Sequence, residues 1–127
     1  MTAAGRVWVV EDNDQNFELV DFLLEEAGYR VTRARDGGEL VRLLPGDAPD
    51  LVLLDMHLPG GSGLDLVATL RAEPRFRRVP VVALTAHAMA GDRERFLAAG
   101  CDGYLSKPID TARFLSEVAV FASKEPR

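Results

Sequence analysis

The hydrophobic residues of this chain fall into short blocks, and longer stretches with many polar residues separate them. Three of the blocks are apolar without alternation and rich in aliphatic residues; they span residues 7–10, 51–54 and 81–84. Strands that are apolar on both faces are typical of a parallel sheet covered by helices on both sides. We therefore predict a strand at each block, and two weaker strands around Val31 and at Tyr104-Leu105.

The stretches between the blocks carry apolar residues at helical spacing. In the first stretch Phe17, Val20 and Leu24 recur at intervals of three and four residues, which places them on one face of a helix. Asp14 suits the N-cap of this helix, and Gly28 suits the position just after its last turn. The predicted helices span residues 14–27, 37–44, 63–72, 91–99 and 111–122.

Strands and helices thus alternate along the whole chain, without a repeat, a low-complexity stretch or a linker. Alternation of this kind predicts a doubly wound α/β fold. We expect residues 1–127 to form one domain, because a chain of 127 residues suits a single hydrophobic core. The order of the strands in the sheet is not visible in this pattern.

Composition narrows the class of protein. The net charge of −5 argues against a nucleic-acid-binding domain, which usually carries a basic surface. No apolar run approaches the ~20 residues that cross a bilayer, and the first apolar block is too short for a signal peptide. The single cysteine, Cys101, excludes an internal disulfide and suits a reducing compartment. We expect a protein of the cytoplasm with neither a membrane nor a nucleic-acid partner.

Polar residues whose side chains can bind ligands or take part in reactions follow the predicted strands at the point where each strand ends. They are Glu11 and Asp12 after the first strand, Asp55 after the third, Thr85 after the fourth and Lys107 near the end of the fifth. Ligands of open parallel sheets bind at the carboxyl ends of the strands. Each residue alone has an ordinary explanation, such as a helix cap, a turn or a solvated charge, but their joint position favours a common site.

Electrostatics limits what such a site does. Two carboxylates ~4 Å apart repel each other by roughly 4 kcal/mol at an effective dielectric constant near 20. Lys107 compensates one negative charge, and a hard divalent cation such as Mg²⁺, with oxygen ligands and several waters, compensates the rest. Open coordination positions suit a phosphoryl oxygen. The residues therefore predict metal-assisted phosphoryl transfer.

As a set, these residues resemble the receiver domain of bacterial two-component response regulators. The resemblance covers residues 7–121, and the stretch 83–109 is similar to stand-alone cell-cycle receivers and to receivers of hybrid histidine kinases. It implies a flavodoxin-like fold with a five-stranded parallel sheet in the order 2-1-3-4-5 and five helices. The motifs that carry it are Glu11-Asp12, Asp55 with Pro59 and Gly63 after it, Thr85-Ala86 and Lys107-Pro108.

The resemblance also implies a role for each site residue. Asp55 would accept a phosphoryl group from a histidine kinase or a histidine phosphotransfer protein. Asp12 and Asp55 would bind Mg²⁺ directly, Glu11 mostly through water, and His57 through its backbone carbonyl. Lys107 would bind a phosphoryl oxygen, with a cis peptide bond to the proline that follows it.

The same resemblance implies a switch that acts on a downstream protein target. Thr85 would move its hydroxyl to the phosphoryl group, and Tyr104 would turn inward into the space that Thr85 vacates. The partner-binding surface would lie roughly within residues 91–122. Such a protein is not an enzyme for external substrates, since it catalyses only its own phosphorylation and dephosphorylation.

Three alternatives remain open. The chain would also fit a receiver excised from a larger regulator or hybrid kinase. A small aspartyl-phosphate phosphatase would carry an acid–base carboxylate two residues after Asp55, where this chain has His57. A phosphorylation-independent scaffold has no reason to retain so many mutually repelling acids.

The side chain of His57 has two interpretations. The favoured one is an exposed side chain that contributes only its carbonyl; the other is a residue that modulates the lifetime of the phosphoryl group. The remaining candidates have structural interpretations: His87 as a surface or partner contact, residues 60–63 as a turn, and Cys101 and Trp8 as packing residues.

Overall fold

Five parallel strands alternate with five helices along the chain. A computed structural model describes residues 5–58, 63–86 and 91–122. The strands are β1 Gly5–Val10, β2 Tyr29–Ala34, β3 Leu51–Asp55, β4 Val81–Thr85 and β5 Gly103–Ser106. The helices are α1 Asp14–Glu26, α2 Gly37–Leu43, α3 Gly63–Ala72, α4 Asp92–Ala99 and α5 Phe114–Ala122, with a short 3₁₀ turn at Pro74–Phe76.

The strands form one sheet in the order β2-β1-β3-β4-β5, and every pair of neighbours is parallel. This confirms the flavodoxin-like fold that the resemblance implies. The order reverses between β1 and β3, and in open α/β sheets the ligand site lies at such a reversal, outside the carboxyl ends of the strands. Opposite Val10 in this register stands Leu54, so β1 and β3 end side by side.

The hydrophobic core consists of two layers, one on each face of the sheet. On one face Trp8, Val52 and Leu54 pack with Val67 of α3 and Phe96 of α4. The other layer joins alternate residues of the same strands to α1 and α5, through Val7, Val9, Leu51, Leu53, Val20, Leu24, Phe114 and Val118. Both faces of β1, β3 and β4 are therefore buried, which explains why their sequences do not alternate.

The observed ends of several elements differ from the predicted ones. Asn13, not Asp14, caps α1, since its side-chain oxygen accepts a hydrogen bond of 2.9 Å from the backbone N–H of Asn16. The last helix begins at Phe114 rather than at residue 111, because residues 111–113 form a turn on Asp110, whose carboxylate accepts from the N–H of Ala112. Asp14 is thereby left for ion pairs with arginines.

A guanidinium group ties together the end of the sheet opposite the predicted site. Arg71 of α3 donates to the backbone carbonyls of Gly100 (2.9 Å) and Val79 (2.8 Å) and to a carboxylate oxygen of Asp102 (2.9 Å). The same oxygen of Asp102 accepts from the N–H of Val81. This cluster anchors the starts of β4 and β5 to α3. None of the helices in the described ranges combines the length and apolarity that a bilayer crossing needs.

Candidate functional site

Three carboxylates meet where β1 and β3 end. Glu11, Asp12 and Asp55 each offer one oxygen, and these three oxygens lie within 4.8 Å of one another. Glu11 and Asp55 are almost fully buried, with 1% and 2% of their surface exposed, while Asp12 is exposed. The acids predicted to converge therefore do so, with one of the three open to solvent.

Lys107 supplies the positive charge of this cluster. It follows β5, and its Nζ lies 3.1 Å from a carboxylate oxygen of Glu11 and 3.0 Å from one of Asp55. The backbone N–H of Lys107 donates to the carbonyl of Thr85 (2.8 Å), which extends the pairing of β4 and β5. Its peptide bond to Pro108 is cis, as the resemblance implies.

The buried charges shift the pKa values of two groups. Burial raises the pKa of Glu11 from 4.5 to about 7, and the neighbouring carboxylate of Asp55 adds to this shift. Burial acts to lower the pKa of Lys107, but the hydrogen bonds and charges of Asp55 and Glu11 outweigh it and raise that pKa. The cluster thus holds one ammonium against three acids, and one of these acids keeps a proton close to neutral pH. A hard divalent cation fits such a set of oxygen donors.

Asp55 is held on both sides of its carboxylate. One oxygen accepts from the backbone N–H of His57 (2.9 Å), and the other faces Lys107. The first residue of α3 packs directly behind it: a Cβ on Gly63 would stand 2.9 Å from Met56 Cα and 3.3 Å from the carbonyl oxygen of Asp55. Glycine is therefore required where α3 approaches the end of β3.

Thr85 ends β4, buried beside the acid cluster, with 2% of its surface exposed. Its hydroxyl oxygen lies 3.4 Å from Nε2 of His57, whose side chain is otherwise exposed. Tyr104 stands on β5 opposite Ala83, is half-buried, and its ring centroid lies 6.1 Å from that of Phe96. The contact of His57 with Thr85 is one that the sequence did not predict.

The remaining residues that the sequence singled out lie away from the acid cluster or outside the part of the chain that the structure describes. Pro59, residues 60–62 and His87 lie outside the described residues. Cys101 is buried, and burial raises the pKa of its thiol to about 11, which agrees with a packing residue. Trp8 also packs in the core, with its ring centroid 5.3 Å from that of Phe76.

Sequence reasoning missed Arg33, a residue of β2 that contacts the loop between β1 and α1. Its guanidinium donates to the backbone carbonyl oxygens of Glu11 and Asp12. The chain contains 15 lysines and arginines, so composition does not single this one out. The available signal is its pairing with Val9, two residues before the acids, and that register becomes known only with the fold.

With the fold and this geometry established, similarity to known proteins decides the family. The family model for the response regulator receiver domain matches residues 7–119. The chain belongs to this family. As a receiver domain, it has an acid cluster that is consistent with a phosphoacceptor site.

The relatives of this receiver domain agree with that assignment. The polar-differentiation response regulator DivK of Brucella anthropi is 43% identical over 112 residues, which are 88% of this chain and 91% of the relative. Among solved structures, the receiver domain of a Pseudomonas aeruginosa sensor histidine kinase, with a magnesium ion coordinated in its active-site cleft, has a TM-score of 0.86. It is 37% identical, and the match covers 96% of this chain and all of that one. The chemotaxis response regulator CheY4 of Vibrio cholerae has a TM-score of 0.87 at 25% identity, with 95% and 99% covered.

Proposed function

We propose that residues 1–127 act as one receiver domain that accepts a phosphoryl group on Asp55 from a phosphohistidine of a histidine kinase or histidine phosphotransfer protein. The observation that carries this proposal is the position of Asp55 at the end of β3. Its carboxylate lies 3.0 Å from Lys107 and within 4.8 Å of oxygens of two further acids. Buried acids crowded in this way are weak evidence of a stabilising role and are typical of functional sites.

In the proposed reaction a carboxylate oxygen of Asp55 attacks the phosphorus atom. The new O–P bond forms while the P–N bond to the donor imidazole breaks, and the electron pair of that bond returns to the imidazole nitrogen. Water later attacks the same phosphorus, releasing inorganic phosphate and the free carboxylate. Lys107, already 3.0 Å from Asp55, is placed to bind a phosphoryl oxygen. The domain thereby catalyses only its own modification and its reversal.

The donor set fits a magnesium ion. Asp12 and Asp55 would be direct ligands, Glu11 would act mostly through water, and His57 would contribute its backbone carbonyl. When bound, the ion compensates the negative charge that accumulates around phosphoryl transfer. The convergence of three carboxylate oxygens within 4.8 Å of one another supports this assignment, because so close a set of acids calls for a cation. The magnesium-bound Pseudomonas receiver supports it as well.

Phosphorylation would act on a second protein through a switch in this domain. The Thr85 hydroxyl would bind the phosphoryl group, and Tyr104 would move inward from its place beside Phe96. A new hydrogen-bonded charge needs to favour one of two conformations by a few kcal/mol only. The affected surface would lie within residues 91–122 and bind a downstream protein. The net charge of −5 argues against nucleic acid as the partner, and we propose the cytoplasm as the location.

Intact-mass spectrometry after incubation with Mg²⁺ and acetyl phosphate tests this function. We expect one added phosphoryl group on the wild-type chain and none on Asp55→Asn. Asp65→Asn, which alters an exposed acid on α3, is the matched control and should be labelled like the wild type. Equal labelling of Asp55→Asn would refute the assignment of Asp55, and multiple turnover of an external phosphomonoester would favour a phosphatase.

A further inference from the structure

Arg33 connects β2 to the loop that carries two of the clustered acids. Its Nε donates to the carbonyl oxygen of Glu11 at 3.1 Å, and its Nη2 donates to the carbonyl oxygen of Asp12 at 3.3 Å. One planar group thus holds two consecutive peptide carbonyls. These carbonyls belong to residues whose carboxylates form the cluster with Asp55.

The guanidinium of Arg33 is itself held by the first turn of α1. Its Nη2 lies 2.9 Å from a carboxylate oxygen of Asp14, and its central carbon stands 4.5 Å from the ring centroid of Phe17. Only 15% of the Arg33 side chain is exposed. Since a guanidinium is rigid and its donors lie in one plane, these contacts together restrict the position of the loop between β1 and α1.

The backbone reinforces the same attachment. The N–H of Glu11 donates to the carbonyl of Ala34 at 3.0 Å, so Glu11 is bound to β2 through both its N–H and its C=O. Two residues further on, the N–H of Asn13 donates to the Glu11 carboxylate at 3.2 Å. The N–H of Glu11 and the carbonyls of Glu11 and Asp12 are therefore held from the β2 side, away from the carboxylates.

We propose that Arg33 is a positioning residue for divalent-cation binding, which orients Glu11 and Asp12 by holding their peptide carbonyls. The proposal rests on the proposed function, because it takes those carboxylates as ligands of Mg²⁺. Groups that orient metal ligands without touching the ion commonly contribute as much as tenfold or more to metal affinity. Arg33 has the contacts of such a group and lies outside the set of donors.

The positioning role of Arg33 and its positive charge predict opposite effects on the affinity for Mg²⁺. A guanidinium close to a cation site repels the cation, so removal of its charge alone would tighten binding. Removal of the two hydrogen bonds frees the loop and weakens binding. Arg35 provides the matched comparison, because it pairs with Asp14 at 3.2 Å, is more than half exposed, and contacts the same helix turn as Arg33.

A titration with MgCl₂, followed by NMR signals of the backbone amides, separates the two effects. We expect Arg33→Met to bind Mg²⁺ about tenfold more weakly than the wild type, and Arg33→Lys to fall between them. Arg35→Met should bind as tightly as the wild type or slightly more tightly. Phe17→Leu, which removes the ring beneath the guanidinium, should weaken binding in the wild type and have little further effect in Arg33→Met.

Amide hydrogen exchange without divalent cations gives a second readout. The N–H groups of Glu11 and Asn13 should exchange faster in Arg33→Met than in the wild type or in Arg35→Met. If Arg33→Met does not fold, Arg33→Lys and Phe17→Leu carry the same test. Binding to Arg33→Met as tight as to the wild type, with unchanged exchange, overturns the positioning role alone. If instead the wild type binds no Mg²⁺, or Asp12→Asn binds equally well, the proposed metal site itself fails.

Discussion

Nε2 of His57 lies 3.4 Å from the hydroxyl oxygen of Thr85, between the ends of β3 and β4. The backbone N–H of the same histidine donates to Asp55. One residue therefore contacts both the proposed phosphoacceptor and the proposed switch hydroxyl. These two contacts are a physical reason to expect that His57 modulates the lifetime of the phosphoryl group.

We predict that His57→Ala loses its phosphoryl group faster than the wild type, because the substitution removes a side chain that contacts Thr85 at the end of the strand beside Asp55. A lost interaction of about 1 kcal/mol corresponds to a rate increase of roughly fivefold. The decay of the phosphorylated form, followed by intact-mass spectrometry, measures this rate. His57→Gln keeps a nitrogen at similar reach and should restore part of the lifetime, whereas equal decay in all three proteins would dismiss the role.

Lys107→Met should fold but lose most of its response to phosphorylation. The ammonium contacts Glu11 and Asp55, and in the proposed phosphorylated state it would bind a phosphoryl oxygen. Without it the modified state gains less from the rearrangement of Thr85. The shift of the Tyr104 amide signal on phosphorylation measures the response. A full shift in Lys107→Met would contradict this role, and Lys107→Arg tests whether positive charge alone suffices.

Without divalent cations, Glu11 should lower the free energy of unfolding as pH rises. Its pKa is about 7 in the folded chain against 4.5 for the ordinary side chain, so between these values the folded state binds more protons than the unfolded state. Stability therefore decreases with rising pH across this window. Urea unfolding in the presence of EDTA at several pH values measures the slope. Glu11→Gln should show a shallower slope, and an identical slope would refute the assignment to this group.

Gly63→Ala should destabilise the domain and disturb Asp55. The added methyl group would meet the backbone of Met56 at 2.9 Å, and forced overpacking of this kind costs about 1–3 kcal/mol. Gly38→Ala in α2 is the matched control, because its Cβ meets only a side-chain oxygen of Asp36, at 3.4 Å. Thermal unfolding compares the two variants. Equal stability of Gly63→Ala and the wild type would contradict this prediction, since it would show that α3 can move away from Met56 without a cost in stability.

The fold could be predicted where a buried element has a recognisable pattern of apolar residues. The uniform apolar blocks became β1, β3 and β4 because each has helices on both faces. The strand at the edge, β2, was weaker in the pattern, since only its first and last residues, Tyr29 and Ala34, are buried. The predicted start of α5 at residue 111 was wrong, because the backbone and side chain of Asp110 accept hydrogen bonds that form a turn before the helix begins at Phe114.

The site could be predicted as far as it depends on strand ends. Asp55 and Thr85 lie at the carboxyl ends of neighbouring parallel strands. The rule that ligand sites lie at these ends requires no knowledge of side-chain geometry. The contacts of Arg33 and the contact between His57 and Thr85 depend on register between strands and on the direction of long side chains. Neither is encoded in the local pattern, so only the structure reveals them.

The ion pair between Glu11 and Lys107 joins positions 96 residues apart in the chain. During synthesis, the acids emerge long before the ammonium that balances them. A nascent or truncated polypeptide that lacks a docked β5 has an incomplete pocket. Competence for the proposed phosphorylation therefore requires a sheet that is assembled as far as β5.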